Sequence, residues 1–205
     1  MKSDLAAVNP RKTPRQRRSA VLVEAIYEAG ARILETEGLA GLNTNRVATV
    51  AGVSVGSLYQ YFPSKEAIVA GLLRQSRQDL LDGMRQVLAT SEGETFEVIV
   101  DRLLGVAARG QFDRPSLART LEYAEGMLAI DQETRALKTE LAEEIANFLA
   151  QHGIARPLIA AWDLISLVRG LIDAAGLRGE TDAADVQKRA RYAVFGYLEK
   201  MRVAG

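Results

Sequence analysis

The chain has 205 residues, equal numbers of basic and acidic side chains (26 each), no cysteine and a single histidine. The length suffices for a buried core, and the lack of cysteine excludes disulfide frameworks and thiolate metal sites. No apolar run reaches the roughly 18 to 20 residues that span a bilayer, and the charged, proline-containing first residues lack the apolar core of a signal peptide. We therefore expect a cytoplasmic protein with no membrane partner.

The charges are divided unevenly along the chain. Residues 1–65 hold nine Lys and Arg against five Asp and Glu, whereas the remainder holds 17 against 21. Residues 1–17 combine two prolines with five basic side chains and no apolar period, which predicts a flexible basic arm. A basic head on an acidic body is one footprint of nucleic-acid contact.

Two helices are predicted after this arm. Ser19 is a plausible N-cap for the first, and apolar residues then recur at helical spacing until Gly38 stops the pattern. The second helix is short: it opens at Asn43 or Thr44, both good caps, and ends where Gly52 can adopt a left-handed conformation.

A third helix is predicted from Ser54 to near Phe62. It must end there because Pro63 disfavours helical geometry in the residue before it. Ser64 can then cap a long fourth helix that carries Glu66 in its first turn.

The rest of the chain predicts helices separated by short breaks of turn and cap chemistry, and no strand. The helices span about 64–90, 94–110, 115–130, 132–152, 157–176 and 183–203. The fold class is therefore all-α, with about nine helices.

Residues 43–62 have the spacing of a helix-turn-helix. Small Ala48 lets the two helices approach, Gly52 makes the turn, and the apolar residues Val47, Val53 and Leu58 point inward. The outward face then carries small residues, hydroxyls and an amide but no acid, which suits a helix in the major groove. Short helical hairpins are also common core pieces, so these residues alone leave a purely structural role open.

The segment "LNTNRVATVAGVSVGSLYQYFPSKEAIV" closely resembles the DNA-binding domain of TetR/AcrR-type transcriptional regulators. The resemblance covers residues 15–70, including the "RQRRS" lead-in, the "EGL" end of helix one, the "AGVS" turn and the "SKEA" opening of helix four. Beyond residue 70 the match is one of architecture. The resemblance implies a homodimeric repressor that binds a palindromic operator and is released by a small-molecule effector, without a cofactor, a metal ion or a catalytic site.

The resemblance also assigns roles to individual positions. Thr44 would contact a phosphate, Asn45 would face the groove near a base, and Arg46 would flank the operator. Base edges would be met by Val55, Gly56, Ser57 and Gln60. The DNA backbone would be held by Tyr59, Tyr61 and Lys65. Some members carry a threonine where this chain has Asn43, which keeps the cap but leaves a hydroxyl contact there open.

Apolar stripes in the body predict a helix bundle, with bulky residues as candidates for an effector cavity. These candidates are Phe112, Tyr123, Met127 and Trp162. Arg169 and Asp173 lie four residues apart, so they form either an exposed ion pair or a pair that orients a polar effector inside a cavity. His152 sits in the last turn of a helix, where it can serve the terminal carbonyl groups.

The last two helices carry apolar stripes with interspersed small residues. The stripe residues are Ile165, Val168, Ile172, Val186, Ala190, Val194, Tyr197 and Met201. Burial inside the chain's own bundle and contact with a second copy explain these stripes equally well, and the resemblance favours the second. A symmetric dimer would then hold two recognition helices about 34 to 36 Å apart.

These predictions divide the chain into a basic arm at 1–17, a helix-turn-helix DNA-binding domain at 18–65 and an effector-binding and dimerisation domain at 66–205. The alternative class is an all-α enzyme or scaffold in which the first three helices are merely structural. It lacks support in the sequence, which has no clustered His, Cys or carboxylate set and no phosphate-binding glycine loop.

Overall fold

A computed structural model describes residues 17–127 and 132–202, apart from the side chains of Met127, Glu133 and Thr134. Within these ranges the backbone forms helices and no strand, and one isolated bridge joins Ile154 to Arg202. The all-α prediction is thus confirmed. The predicted basic arm lies outside the described residues except for Arg17. None of the helices in the described ranges is long and apolar enough to cross a membrane.

The described residues form nine helices, close to the positions expected from the sequence. They are α1 (Arg17–Gly41), α2 (Thr44–Ala51), α3 (Val55–Tyr59), α4 (Lys65–Ala89), α5 (Phe96–Asp113), α6 (Pro115–Met127), α7 (Gln132–Gln151), α8 (Pro157–Leu177) and α9 (Ala183–Met201).

The chain is divided into two compact units. The first contains the described residues up to Ser76 and those between Ser116 and Thr134. The second runs from Arg77 to Pro115 and continues from Arg135. The division by function, into 18–65 and 66–205, stays a prediction.

Helix α1 differs from its prediction at its start. Ser19 is not its N-cap, because the helix already begins at Arg17 and includes the serine in its first turn. Its predicted stop is confirmed, since Gly38 has φ 65° and ψ −166°, a conformation that breaks the regular helix. A residue with a Cβ atom would be strained at that φ.

The first unit has a core of fully buried side chains from its short helices. Val47 of α2 and Leu58 of α3 have no exposed surface, and neither has Phe62 just after α3. The ring of Tyr27 on α1 meets Phe62 edge to face, with 5.1 Å between ring centroids. Leu121 of α6 belongs to the same core. This core fixes α2 and α3 against α1, so the outward face of α3 has a defined position within the unit.

The second unit has a large core and a smaller one. The large core joins residues of α4, α5, α7, α8 and α9 and includes Leu81, Leu103, Leu149 and Leu198. The smaller one, which we call the small apolar cluster, consists of Ala108, Ile172, Ala175 and Val186, with Ala107, Phe112 and Val168 packed against it.

Four residues of the predicted dimer interface are buried within these cores. The residues are Ile172, Val186, Ala190 and Val194. Their stripes face the unit's own interior because α8 and α9 pack against α5 there, which is the alternative that the sequence left open. Ile165, Val168, Tyr197 and Met201 are half-buried and pack against the large core.

Candidate DNA-binding surface

Local cap and turn chemistry positions α2. The side chain of Asn43 accepts a hydrogen bond of 2.9 Å from the backbone N–H of Arg46, so Asn43 is the N-cap. Gly52 has φ 67° and ψ 30°, and the following Val53 N–H donates to the Ala48 carbonyl at 3.0 Å. The predicted cap and turn are confirmed, and together they set the angle at which the chain enters α3.

Helix α3 begins as predicted but ends earlier. Ser54 is its N-cap, and its hydroxyl accepts a hydrogen bond of 3.0 Å from the N–H of Ser57. The helix ends at Tyr59, where a turn replaces the predicted continuation towards Phe62. In that turn the Phe62 N–H donates to the Leu58 carbonyl at 2.9 Å, which lets both apolar side chains reach the core.

The outward face of α3 carries most of the residues expected to meet base edges. Val55 and Tyr59 are 38% and 40% exposed, and Gly56 and Gln60 are exposed as well. Ser57 is half-buried, and its hydroxyl lies 2.8 Å from that of Ser54. This face therefore presents two small residues, Val55 and Gly56, and the side-chain amide of Gln60.

Tyr61 differs from its neighbour Tyr59. It is half-buried and packs against the core of the first unit, so less of its side chain is presented outward than the sequence suggested. Leu58 and Phe62 face inward, as predicted.

Two contacts organise the polar groups at the edge of this surface. The hydroxyl oxygens of Thr44 and Tyr59 lie 3.0 Å apart, within hydrogen-bond distance. Nη2 of Arg46 donates to Oε1 of Glu37 at 2.6 Å, and this bond raises the pKa of the Arg46 guanidinium. Sequence analysis missed both contacts because they join residues of different helices.

Basic and neutral polar groups complete the surface. Asn45 is exposed on α2, and Lys65 is exposed at the first position of α4. The hydroxyl of Ser64 accepts a hydrogen bond of 3.2 Å from the Ala67 N–H, so the predicted cap of α4 is confirmed. Since residues 43–65 contain no Asp or Glu, nothing within this segment repels a phosphate.

The five predicted effector contacts are divided between the two units. Tyr123 is 66% exposed and belongs to the first unit. The second unit contains Phe112, half-buried beside the small apolar cluster, and Trp162, 39% exposed on α8. Arg169 Nε lies 3.2 Å from Asp173 Oδ2, in a partly buried ion pair. The side chain of Met127 lies outside the described residues. This set stays a prediction.

One buried polar residue of the second unit escaped the sequence analysis. Gln111 of α5 is only 6% exposed, and its Nε2 has no hydrogen-bond partner within the described ranges. A buried donor without a partner costs about 1 to 3 kcal/mol of stability. A glutamine in a helical stripe carries no sequence signal that separates a buried position from an exposed one.

Two further polar contacts lie in the second unit, one between α8 and α9 and one at the end of α7. Tyr197 Oη donates to Asp163 Oδ2 at 2.6 Å between α9 and α8, and this bond raises the pKa of the Tyr197 phenol. His152 Nδ1 donates to the Phe148 carbonyl at 2.8 Å, as expected for a histidine in the last helical turn.

Comparison with known proteins places these features in a family. Residues 26–72, which include the second half of α1, all of α2 and α3 and the start of α4, match the family model described as bacterial regulatory proteins, tetR family. This segment is a TetR-family domain. TetR-family homologues are transcriptional regulators and not enzymes, so the enzyme alternative is set aside.

Two relatives show how far the sequence similarity of this chain extends. It is 29% identical over 187 residues to the HTH-type transcriptional repressor KstR of Mycobacterium tuberculosis, covering 88% of this chain and 80% of that protein. It is 30% identical over 132 residues to the nucleoid occlusion factor SlmA of Vibrio campbellii. This second match covers 62% of this chain and 64%, less than two thirds, of the length of SlmA.

A solved structure supports the fold along most of the chain. The crystal structure of a putative TetR-family transcriptional regulator from Mesorhizobium loti is similar with a TM-score of 0.72. The similarity covers 92% of this chain and all of the other, at 20% sequence identity. At that identity the likeness is one of fold.

Proposed function

We propose that this chain is a transcriptional regulator that reads operator DNA with α3. The observation that carries the proposal is the exposed, acid-free face of that helix. Val55 and Gly56 are small enough for close approach to base edges, and the amide of Gln60 has the donor and acceptor that match adenine in the major groove.

The groups around this face suit the DNA backbone. The hydroxyls of Thr44 and Tyr59 and the ammonium of Lys65 would bind phosphates, while Arg46 would flank them. As the family resemblance implies, Asn45 would lie near a base, Ser57 would meet base edges and Tyr61 would contact the DNA backbone. Tyr61 would do so with the part of its side chain that remains exposed. Contacts of this kind fix the register of a recognition helix without specifying sequence.

We further propose that the chain acts as a homodimer through the outer face of its last two helices. Leu158, Ile159 and Trp162 are exposed at the start of α8, and Tyr192 is exposed on α9. Exposed apolar groups of this size favour burial against a partner, and a second copy presents the same groups across a twofold axis. Ile165, Tyr197 and Met201 of the same two helices are half-buried against the large core.

A symmetric dimer would bind a palindromic operator. Its two recognition helices would enter half-sites about 34 to 36 Å apart. A small molecule bound in the second unit would favour a protomer geometry with a different separation, and DNA affinity would fall by that difference in binding free energy. The relative KstR is described as a repressor, which supports repression as the mode of action.

Fluorescence anisotropy with the chain's own promoter region and with random DNA tests the proposal. We expect tighter binding to the promoter fragment and a steep loss of affinity with salt, since several phosphates are neutralised. Gln60→Ala should reduce the preference for the promoter. Gln75→Ala, which removes another exposed amide, from α4, should leave it unchanged. Equal binding to both DNAs would overturn the proposal.

A further inference from the structure

We propose that Gln111 donates a hydrogen bond to the effector and that the effector is an apolar molecule with a carbonyl oxygen. This inference rests on the proposed function, in which a small molecule regulates DNA binding. It names the residue in the second unit that recognises the molecule and the chemical class that the molecule belongs to.

The state of the Gln111 amide is the first observation. The residue is 94% buried, since only 6% of it is exposed, and its Nε2 has no acceptor within the described ranges. Gln187 of α9 is a useful contrast in the same unit, because its Nε2 donates to the Asp101 carbonyl at 2.8 Å. Buried amide donors in proteins almost always have such a partner, so an unpartnered one points to a role other than stability.

The space that holds this amide is the second observation. A Cβ atom at Gly176 of α8 would lie 1.8 Å from Gln111 Nε2 and 2.7 Å from its Cδ. The amide therefore rests directly on the backbone of α8, where any other residue would displace it. Glycine is disfavoured in a helix compared with alanine. Two features that lower stability, the unpartnered amide of Gln111 and the helical Gly176, are therefore in direct contact.

The surroundings define the class of ligand. The small apolar cluster joins the same two helices to α9 through Val186, and Phe112 and Val168 are half-buried beside it. The ionic groups on this part of α8, Arg169 and Asp173, pair with each other. An apolar body with a neutral oxygen acceptor therefore complements the site better than a charged molecule does.

Burial of the amide couples recognition to a structural change. Because Nε2 lies against α8 at Gly176, a ligand oxygen reaches it only if α5 and α8 separate slightly at that point. Binding would thus favour a second packing of these two helices, which is the differential interaction that a population shift requires.

Thermal unfolding of the ligand-free protein is the first test. Gln111→Met removes the bare donor at similar volume, so we expect its Tm to rise by roughly 2 to 6 °C. Gln187→Met removes a satisfied amide from the same unit and should lower the Tm, since it leaves the Asp101 carbonyl without that donor. A fall in Tm for Gln111→Met like that of Gln187→Met would show a structural amide and overturn the proposal.

Matched pairs of small molecules provide the second test. The probes are acetophenone with ethylbenzene, and benzophenone with diphenylmethane, in which each pair differs by the carbonyl oxygen. We expect a carbonyl compound to raise the Tm of the native chain and of Gln187→Met by more than its partner does. That difference should vanish in Gln111→Met and in Gly176→Ala, where the new Cβ displaces the amide. Equal effects of both members of each pair on the native chain would overturn the proposal.

Anisotropy of the ligand-free protein on promoter DNA keeps the two proposals separate. Promoter preference without discrimination between the probes defeats the Gln111 assignment alone. Probe discrimination through Gln111 without promoter preference supports the binding site and defeats the proposed function. If Gln111→Met binds the promoter normally but is not released by the carbonyl probe, both proposals are supported.

Discussion

Thr44 and Tyr59 form a hydrogen-bonded pair of hydroxyls across the helix-turn-helix, with 3.0 Å between Thr44 Oγ1 and Tyr59 Oη. The pair joins the first residue of α2 to the last residue of α3. One hydroxyl donates to the other, so the accepting hydroxyl keeps its own hydrogen for a third group. In the proposed function, the two side chains would bind a phosphate as one unit.

This pairing predicts non-additive losses of DNA affinity. Tyr59→Phe should weaken operator binding about 10- to 100-fold, because a hydrogen bond to a charged group contributes about 1.5 to 3 kcal/mol. Thr44→Val should cost a similar factor, and the double variant little more than either single one. The slope of log affinity against log salt should stay unchanged, since no charge is lost. Anisotropy titrations measure all three variants, and strictly additive losses would show two independent contacts.

Glu37 pairs with Arg46, the cation that we propose flanks the operator DNA. Its carboxylate accepts a 2.6 Å hydrogen bond from Arg46, in an exposed ion pair. Glu37→Gln should release the guanidinium and remove a nearby negative charge. Operator affinity should rise several-fold, with the salt slope steeper by about one.

The matched control for this change is Glu28→Gln. Glu28 also forms an exposed ion pair on α1, with Arg32 at 2.8 Å, and the substitution changes the net charge equally. It should leave the salt slope unaltered, because this pair lies outside the predicted DNA surface. If both variants gain affinity equally, the gain comes from the change in net charge and not from the release of Arg46.

Trp162 tests the proposed dimer face. The residue is 39% exposed on α8 beside the exposed Leu158 and Ile159. Trp162→Ser should raise the dimer dissociation constant by about 30-fold or more, since truncating a central interface aromatic costs about 2 kcal/mol or more. Sedimentation velocity over a concentration series measures the shift. Tyr123→Ser removes an exposed aromatic residue from the first unit and should leave the dimer intact. If Trp162→Ser dimerises with the affinity of the native chain, the interface lies elsewhere.

Glu180 predicts a pH dependence of stability. A hydrogen bond from Arg178, with further help from Arg189, lowers the pKa of Glu180 below its ordinary value of 4.5. A carboxylate with a lowered folded-state pKa stabilises the fold above the unfolded value, and this contribution is lost as the pH falls through the folded value. Glu180→Gln should therefore be less stable than the native chain at pH 6, and the difference should shrink as the pH falls below about 4.5.

Urea unfolding between about pH 3 and 7 at fixed protein concentration measures this difference. Glu199→Gln is the control, because Glu199 is an exposed residue of α9 whose only described ion pair is a 3.6 Å contact with the adjacent Lys200. Its difference from the native chain should stay small throughout. A pH-independent deficit in Glu180→Gln would mean that the glutamine disturbs packing instead.

Local chemistry explains why the helix-turn-helix could be predicted so closely. The caps Asn43 and Ser54 and the left-handed Gly52 act on backbone groups within a few residues of themselves, so the sequence alone specifies them. The end of α3 was less certain because it depends on the burial of Phe62, which is a tertiary effect. The start of α1 differs from its prediction because Ser19 has the chemistry of a cap but lies within a helix that already begins at Arg17.

Tertiary contacts account for most of what the sequence left open. A stripe of Ile172, Val186, Ala190 and Val194 has the same period whether it faces its own core or a partner, and here it faces the core. The contacts of Arg46 with Glu37 and of Thr44 with Tyr59 join residues nine and 15 positions apart. Periodicity does not specify which groups meet at those separations.

Helix α3 separates the residues that hold it in place from those that face outward. Leu58, together with Phe62 just beyond the helix, has no exposed surface, whereas Val55, Gly56 and Gln60 are exposed. Substitutions at exposed positions away from special features usually change stability by less than about 0.5 kcal/mol. A library randomised at these three positions should thus remain largely folded, and new operator preferences could arise in it, or in evolution, without compensating changes in the core.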